Sequence, residues 1–203
     1  HLDVHTEYSL GDSIVRVKEL VKTAKSMLMP AVAMTDLSNL YGGIKFIRAC
    51  VDNGVKPLIG VDVEVVEENG MTPFSLILPC PLYAGYQLVF ELLTNAYTLD
   101  VDSAKVAIGF SELSKGCGDL IAISPSIDGA IGKLMYAGKL DQARMTAEKY
   151  SYMFPEAFYL EITRTNRRGE GEYELQALRL ASEQKIPLVA GNAVRFLSRD
   201  DFT

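Results

Sequence analysis

Polar and apolar residues alternate from the first position, His1-Leu2-Asp3-Val4-His5. A strand sends alternate side chains to opposite faces, so His1, Asp3 and His5 share one face while Leu2 and Val4 take the other. Asp12 or Ser13 then stands where it can cap a helix whose apolar positions Ile14, Val17, Val21, Ala24 and Leu28 recur at helical spacing. Lys18, Lys22 and Lys25 fall on its wet face, and Pro30 ends it. Ala31 to Met34 reads as a short buried strand leading into the polar turn Thr35-Asp36-Leu37-Ser38-Asn39-Leu40. A second helix is predicted from Tyr41 to Asp52, stopped by Asn53-Gly54, where a left-handed residue is needed. The third strand begins at Pro57. The alternation of Val61, Val63 and Val65 with Asp62 and Glu64 predicts a strand, Glu68-Asn69-Gly70 a hairpin turn, and Phe74 to Leu78 the returning partner.

Further along, helical spacing runs from Tyr83 to Tyr97, and a less regular piece carries a short helix near Phe110 to Ser114. Leu120 to Ile123 is the next strand, running into Ser124-Pro125-Ser126. Helices follow at Gly129 to Tyr136 and Leu140 to Tyr152, then a strand at Phe158 to Ile162. Thr163 to Gly171 is loop-like and carries Arg164, Arg167 and Arg168. The helix after it is expected to turn Leu175, Leu178 and Ala181 inward, and Pro187 to Ala190 is the last strand, ending in Gly191-Asn192-Ala193-Val194-Arg195. Strand and helix alternate through most of the chain, which predicts a mainly parallel sheet with helices outside, and six or seven such units suggest a barrel. The strand ends Asp3/His5, Asp36/Leu37, Asp62, Ser124/Ser126 and Asn192/Arg195 would then converge on one face.

At 203 residues, 48% of them hydrophobic, the chain is expected to form one domain over 1–203 with a full core. Twenty basic residues against 26 acidic ones leave a net charge of −6. No block of Lys and Arg is dense enough to neutralise a run of phosphates, so strong direct nucleic-acid binding by these residues is not expected. Cys50, Cys80 and Cys117 are odd in number and widely spaced, which reads as buried thiols in a reducing compartment. No apolar run approaches the roughly 20 residues of a membrane span, and a soluble cytoplasmic protein is expected. The opening without Met and the stop at Asp201-Phe202-Thr203 lead us to expect a piece of a longer protein.

Both histidines of the chain lie in the opening stretch, and alternate strand positions holding His and Asp are a start on a zinc or manganese site. His5 is equally readable as a buried histidine bonded to Asp3 or Asp62. Asp36 reads as a turn-former. Ser9, Ser124 and Ser126 are poor nucleophiles, since no second histidine is available as a base. Glu161, at a strand end, belongs to the same cleft without needing a catalytic task. The Arg164, Arg167 and Arg168 loop reads as solvated surface, with a contact to a partner protein or neighbouring domain as the alternative.

Several separate stretches carry a resemblance: His1 to Ser9, Ala33 to Leu40, Gly54 to Asp62, Gly85-Tyr86, Phe158 to Glu161 and Pro187 to Asn192. In this order they resemble the PHP domain, named for polymerase and histidinol phosphatase, in the form found in bacterial replicative DNA polymerase III alpha subunits. The resemblance implies an α/β fold, a distorted (β/α)7 TIM-like barrel, whose cleft in metal-binding members holds up to three ions on histidines and carboxylates. Matched to that pattern, Asp3 stands for the first His of a His-x-His pair, His5 keeps the second, Asp12 keeps an acidic ligand and Asp62 stands for a Glu. Leu37 replaces a His, Ser75 and Ser126 fall near a His and a His or Cys, and Ala193 and Arg195 replace a closing Asp-x-His pair.

By that resemblance a two-metal hydrolytic centre is not expected. His5, Asp3, Asp12 and Asp62 would hold at most one weak zinc or manganese ion, and Arg195 would pair with Asp3, Asp62 or Asp12. The implied role is a scaffold of the polymerase alpha chain and a docking site for its epsilon proofreading exonuclease. DNA would be met only through the holoenzyme, and polymerisation itself would need palm carboxylates outside these residues. The competing expectation is a metal-dependent phosphoesterase, either a 3′–5′ exonuclease or a pyrophosphatase. A free-standing PHP phosphatase ranks third.

Overall fold

The computed structural model describes residues 1–66, 73–99 and 106–202. Its sheet has seven strands: β1 (Ala31–Met34), β2 (Lys56–Val66), β3 (Phe74–Pro79), β4 (Ala107–Gly109), β5 (Ala122–Ser124), β6 (Phe158–Ile162) and β7 (Leu188–Ala190). They lie in the order β1-β2-β3-β5-β6-β7, with β4 paired to the far half of β2. β1 with β2, β2 with β4, β5 with β6 and β6 with β7 are parallel. β3 runs against both β2 and β5, so the regular βα alternation expected from the sequence is broken there. The cause is the short link: seven residues between β2 and β3 are too few for the crossover a parallel pair needs. The predicted Glu68-Asn69-Gly70 turn lies outside the described residues.

Among the described residues seven α-helices accompany the sheet: α1 (Val17–Ser26), α2 (Gly43–Asn53), α3 (Tyr83–Leu99), α4 (Phe110–Leu113), α5 (Ala130–Tyr136), α6 (Leu140–Met153) and α7 (Glu170–Gln184). The opening residues do not form a laddered strand. They form an extended strip wedged between the sheet's two edges: the Ala33 and Thr35 amides donate to the His1 and Val4 carbonyls on one side, and the His5 amide donates to the Val194 carbonyl on the other. A parallel bridge between Val4 and Val194 closes this seam. The result is a curled, mixed α/β architecture.

Two apolar clusters support it. The smaller, under α1 and α2, gathers Val4, Val17, Val21, Met34, Phe46 and Cys50. The larger joins β2 to β6 with α3, α5, α6 and α7, and centres on Tyr150, whose ring meets Phe74, Phe110 and Phe158 at 5.6–5.9 Å. Cys50 and Cys117 are buried, Cys80 is half-buried, and burial raises all three thiols, Cys80 to about 12. Among the described residues no helix is long and apolar enough to cross a membrane.

Local departures from the pattern have local causes. α1 starts at Val17 without a side-chain cap, because Asp12 and Ser13 are engaged elsewhere, and Ile14 and Leu28 lie exposed outside it. β2 is one continuous strand from Lys56. α7 buries Tyr173, Ala177, Leu180 and Ala181, leaving Leu175 and Leu178 on the surface. Gly54 caps α2 in the left-handed conformation at φ 69°, as the Asn-Gly stop predicts.

Candidate functional site

The strand ends converge as expected. Asp3 and His5 come from the wedged strip, Asp62 from mid-β2, Ser75 from the start of β3, Ser126 from beyond β5, Glu161 from β6, and Ala193 and Arg195 from the segment after β7. Asp3, Ser126, Glu161, Thr163, Ala193 and Arg195 line one cavity of about 510 Å³. His1 is exposed and lies in another groove, with Val4 and Leu20, so the strip does not present three ligands on one face. Asp3 and His5 keep the predicted common face, with Val4 turned into the core, and only the terminal His1 departs from it.

The loop that delivers His5 and Asp12 is held by Asp36. This fully buried carboxylate accepts the Thr6 amide at 2.5 Å, the Thr6 hydroxyl at 2.7 Å and the Ser9 hydroxyl at 2.7 Å. Ser9 Oγ in turn accepts the Leu37 amide at 2.9 Å. Ser13 donates to the His5 carbonyl at 2.7 Å, so its hydroxyl ties the loop back on itself in place of capping α1. Asp36 is therefore more than a local turn-former, since its bonds reach about 30 residues back along the chain.

Arg195 and His5 sit among the carboxylates. Arg195 Nη1 lies 2.9 Å from Asp3 Oδ1 and Arg195 Nε 2.8 Å from Asp12 Oδ2. His5 Nδ1 meets the same Asp12 oxygen at 2.5 Å, while Nε2 lies 3.3 Å from Asp62 Oδ2 at an angle that falls short of a hydrogen bond. Ser75 donates to Asp62 Oδ1 at 2.5 Å. Burial pulls the His5 pKa down and Arg195 adds to that, yet Asp62 and Asp12 outweigh them, and the net direction is up. Asp3 is raised because burial exceeds the pull of Arg195 and His5. Glu161 is pushed to about 8, by burial first and by the charges of Asp3 and Asp62 next, so it carries its proton at neutral pH.

A divalent ion needs several lone pairs aimed at one point. Here Asp3 and Asp12 aim theirs at a guanidinium, and Glu161 is protonated. Leu37 is half-exposed at the rim, Ser75 is spent on Asp62, and Ala193 offers no donor. Among the described residues no group of three or more His, Cys, Asp and Glu side chains is arranged to hold a metal ion. The residues as they stand do not fit a two-metal centre. Ser126 Oγ lies 3.0 Å from Thr163 Oγ1, whose own proton goes to the Glu170 carboxylate, and Ser124 Oγ is buried without a hydrogen-bond partner among the described residues.

Reasoning from sequence missed the hydroxyl network behind the cavity. Thr163 and Thr165 donate to Glu170, which also accepts the Thr165 and Arg167 amides at the start of α7. Arg167 pairs with Asp128 across the cavity mouth, and Arg164 with Glu174. Glu170 three residues after Arg167 was the available signal, since an acidic residue in a helix's first turn favours such capping.

A family model described as PHP domain matches residues 1–165. DNA polymerase III subunit alpha of Pseudomonas fluorescens is 37% identical over 203 residues, covering 100% of this chain and 17% of that protein. The subunit of the same description from Pseudomonas aeruginosa is 35% identical over 203 residues, again 100% and 17%. The chain thus spans about a sixth of the length of these curated relatives. In fold it is similar to a structure described as a putative metal-dependent phosphoesterase from Bifidobacterium adolescentis, with a TM-score of 0.64 at 14% identity, covering 96% of this chain and 87% of that one.

Proposed function

Since this chain belongs to the PHP domain family and is homologous over its length to part of the bacterial DNA polymerase III alpha subunit, we propose that it serves such a polymerase as a non-hydrolytic scaffold and as a docking site for its proofreading exonuclease. Primer extension would belong to the remainder of such a chain. The observation that carries the reading is the Arg195 guanidinium bonded to Asp3 and Asp12. A fixed internal cation neutralises the carboxylates at all times, which suits a structural element and removes the open coordination positions that metal-assisted hydrolysis requires. His5, Asp3, Asp12 and Asp62 would then hold one weakly bound divalent ion at most.

Two measurements test it. The purified protein, never exposed to chelator, should carry less than about a tenth of an equivalent of metal and should gain no thermal stability from added zinc or manganese. It should also co-elute with a bacterial proofreading exonuclease. Two or more tightly held metal equivalents, or phosphoester hydrolysis that His5→Ala abolishes, would put the phosphoesterase reading in its place.

A further inference from the structure

The laddered strands do not close the sheet on themselves. Among the described residues β1 and β7 are its two ends, and the opening strip is what lies between them. The strip is held well at its cleft end, where the Thr35 amide donates to the Val4 carbonyl at 2.9 Å and the Val194 amide to the Asp3 carbonyl at 3.0 Å. The hold weakens at His1, whose carbonyl accepts the Ala33 amide at 3.4 Å. Both edge strands run on past that point. β1 reaches back to Ala31, and because Val4 is level with Val194, the whole of β7 (Leu188–Ala190) lies beyond His1. Pro30 bonds to β2 and Gly191 to β6, so by alternation the Ala31, Leu188 and Ala190 amides turn toward the gap.

Two apolar cavities flank this gap, one on each face of the sheet. Inside the barrel, about 280 Å³ is lined by Leu2, Ile59, Cys80, Ile123, Tyr159 and Val189. Outside, between the sheet and α1, about 220 Å³ is lined by His1, Leu20, Ala24, Met27, Val32 and Phe196. Leu2, Ile59, Tyr159 and Val189 are only half-buried although they face the barrel's interior. Apolar walls without partner atoms forfeit dispersion contacts, and water between them finds few hydrogen bonds.

One kind of occupant matches this shape. The strip, bonded to both edges, shows that they stand one strand apart. Successive residues of a strand alternate between faces, so a strand entering the gap would fill the inner and outer cavities in turn. Covered on both faces, it would be apolar throughout. The strip runs parallel to its partner at Val194, so an addition on the N-terminal side of His1 prolongs it without a turn.

We propose that the gap between β1 and β7 is a strand-acceptor slot, and that its occupant is a short apolar β-strand of the parent polypeptide running directly into His1. The residue next to His1 shares the inner cavity with Leu2, and the one before it enters the outer cavity beside α1. The inner cavity shares no lining residue with the Arg195 cleft and lies toward the other ends of the strands, so the slot stands apart from the docking role proposed above.

The test joins one of two four-residue extensions to His1 of the full chain, either Val-Ile-Val-Ile or Gly-Ser-Gly-Ser. The apolar extension should raise the melting temperature by about 5 °C or more over the Gly-Ser form. It should also slow amide exchange at Ala31 and Ala190 by at least about tenfold. Met27→Asp, at an exposed position on the outer cavity, should remove at least about half of the gain while the Gly-Ser form still folds. Equal melting temperatures and equal exchange for the two extensions would overturn the proposal. So would binding of the free apolar peptide to the Gly-Ser form at micromolar concentration, since a separate protein's strand would then be the occupant. Self-association of the Gly-Ser form that Met27→Asp prevents would overturn it in favour of a second copy.

Discussion

Arg195 Nη1 donates to Asp3 Oδ1 at 2.9 Å across 192 residues of sequence, joining the end of the barrel to its beginning. The same guanidinium reaches Asp12 through Nε at 2.8 Å, so one side chain ties together the wedged strip, its loop and the segment after β7.

Arg195→Met should therefore lower the unfolding free energy by about 3 kcal/mol, because it leaves the buried Asp3 without its cation. Adding Asp3→Asn should restore a large part of the loss by removing the orphaned charge. Urea denaturation of the two variants measures this, and a loss under about 1 kcal/mol for Arg195→Met would mean that the pair has no structural weight.

His5 and Glu161 both have pKa values raised in the folded protein. The native state thus binds more protons than the unfolded chain between the ordinary Glu value of 4.5 and about 8 for Glu161, and stability falls as pH rises through that window. For His5 the contribution is complete below the ordinary value of 6.5 and is lost as pH rises through the higher folded value. Glu161→Gln should flatten the dependence by up to about 1.4 kcal/mol per pH unit. Thermal melts from pH 5 to 9 read the slope, and an unchanged slope in the variant would show Glu161 ionised like a surface acid.

Asp36→Ala strands the Thr6 amide and the Thr6 and Ser9 hydroxyls in the interior. A cost of about 3 kcal/mol is expected, together with faster hydrogen exchange at the Thr6 and Leu37 amides. Exchange unchanged at those two amides would show that the loop is held by other contacts.

Gly191 is tightly confined: a Cβ there would lie 1.6 Å from Glu161 Oε1. Gly191→Ala should destabilise by about 1–3 kcal/mol in the native background and by much less alongside Glu161→Ala. Equal losses in the two backgrounds, measured by a double-mutant cycle in urea, would place the strain elsewhere.

Most elements were legible because they depend on neighbours in sequence. The Ala31 to Met34 strand, the Asn-Gly stop of α2 and the Phe158 to Ile162 strand stand where periodicity and turn chemistry predict them. Local pattern failed where a distant group took the residue in question. Asp12 and Ser13 look like helix caps by position, but Arg195, His5 and the His5 carbonyl claim them. Leu175 and Leu178 look inward by spacing, but the face that α7 turns to the core is the one holding Tyr173, Ala177 and Leu180.

The sequence by itself determined the family resemblance, the α/β alternation and the residues standing where metal ligands would be, because each is written as residue type and spacing. Tertiary structure decided what those residues do. Whether Asp3 faces a metal or a guanidinium and whether Glu161 keeps its proton depend on which distant groups share a few ångströms of low-dielectric space. Distance along the chain carries no record of that proximity.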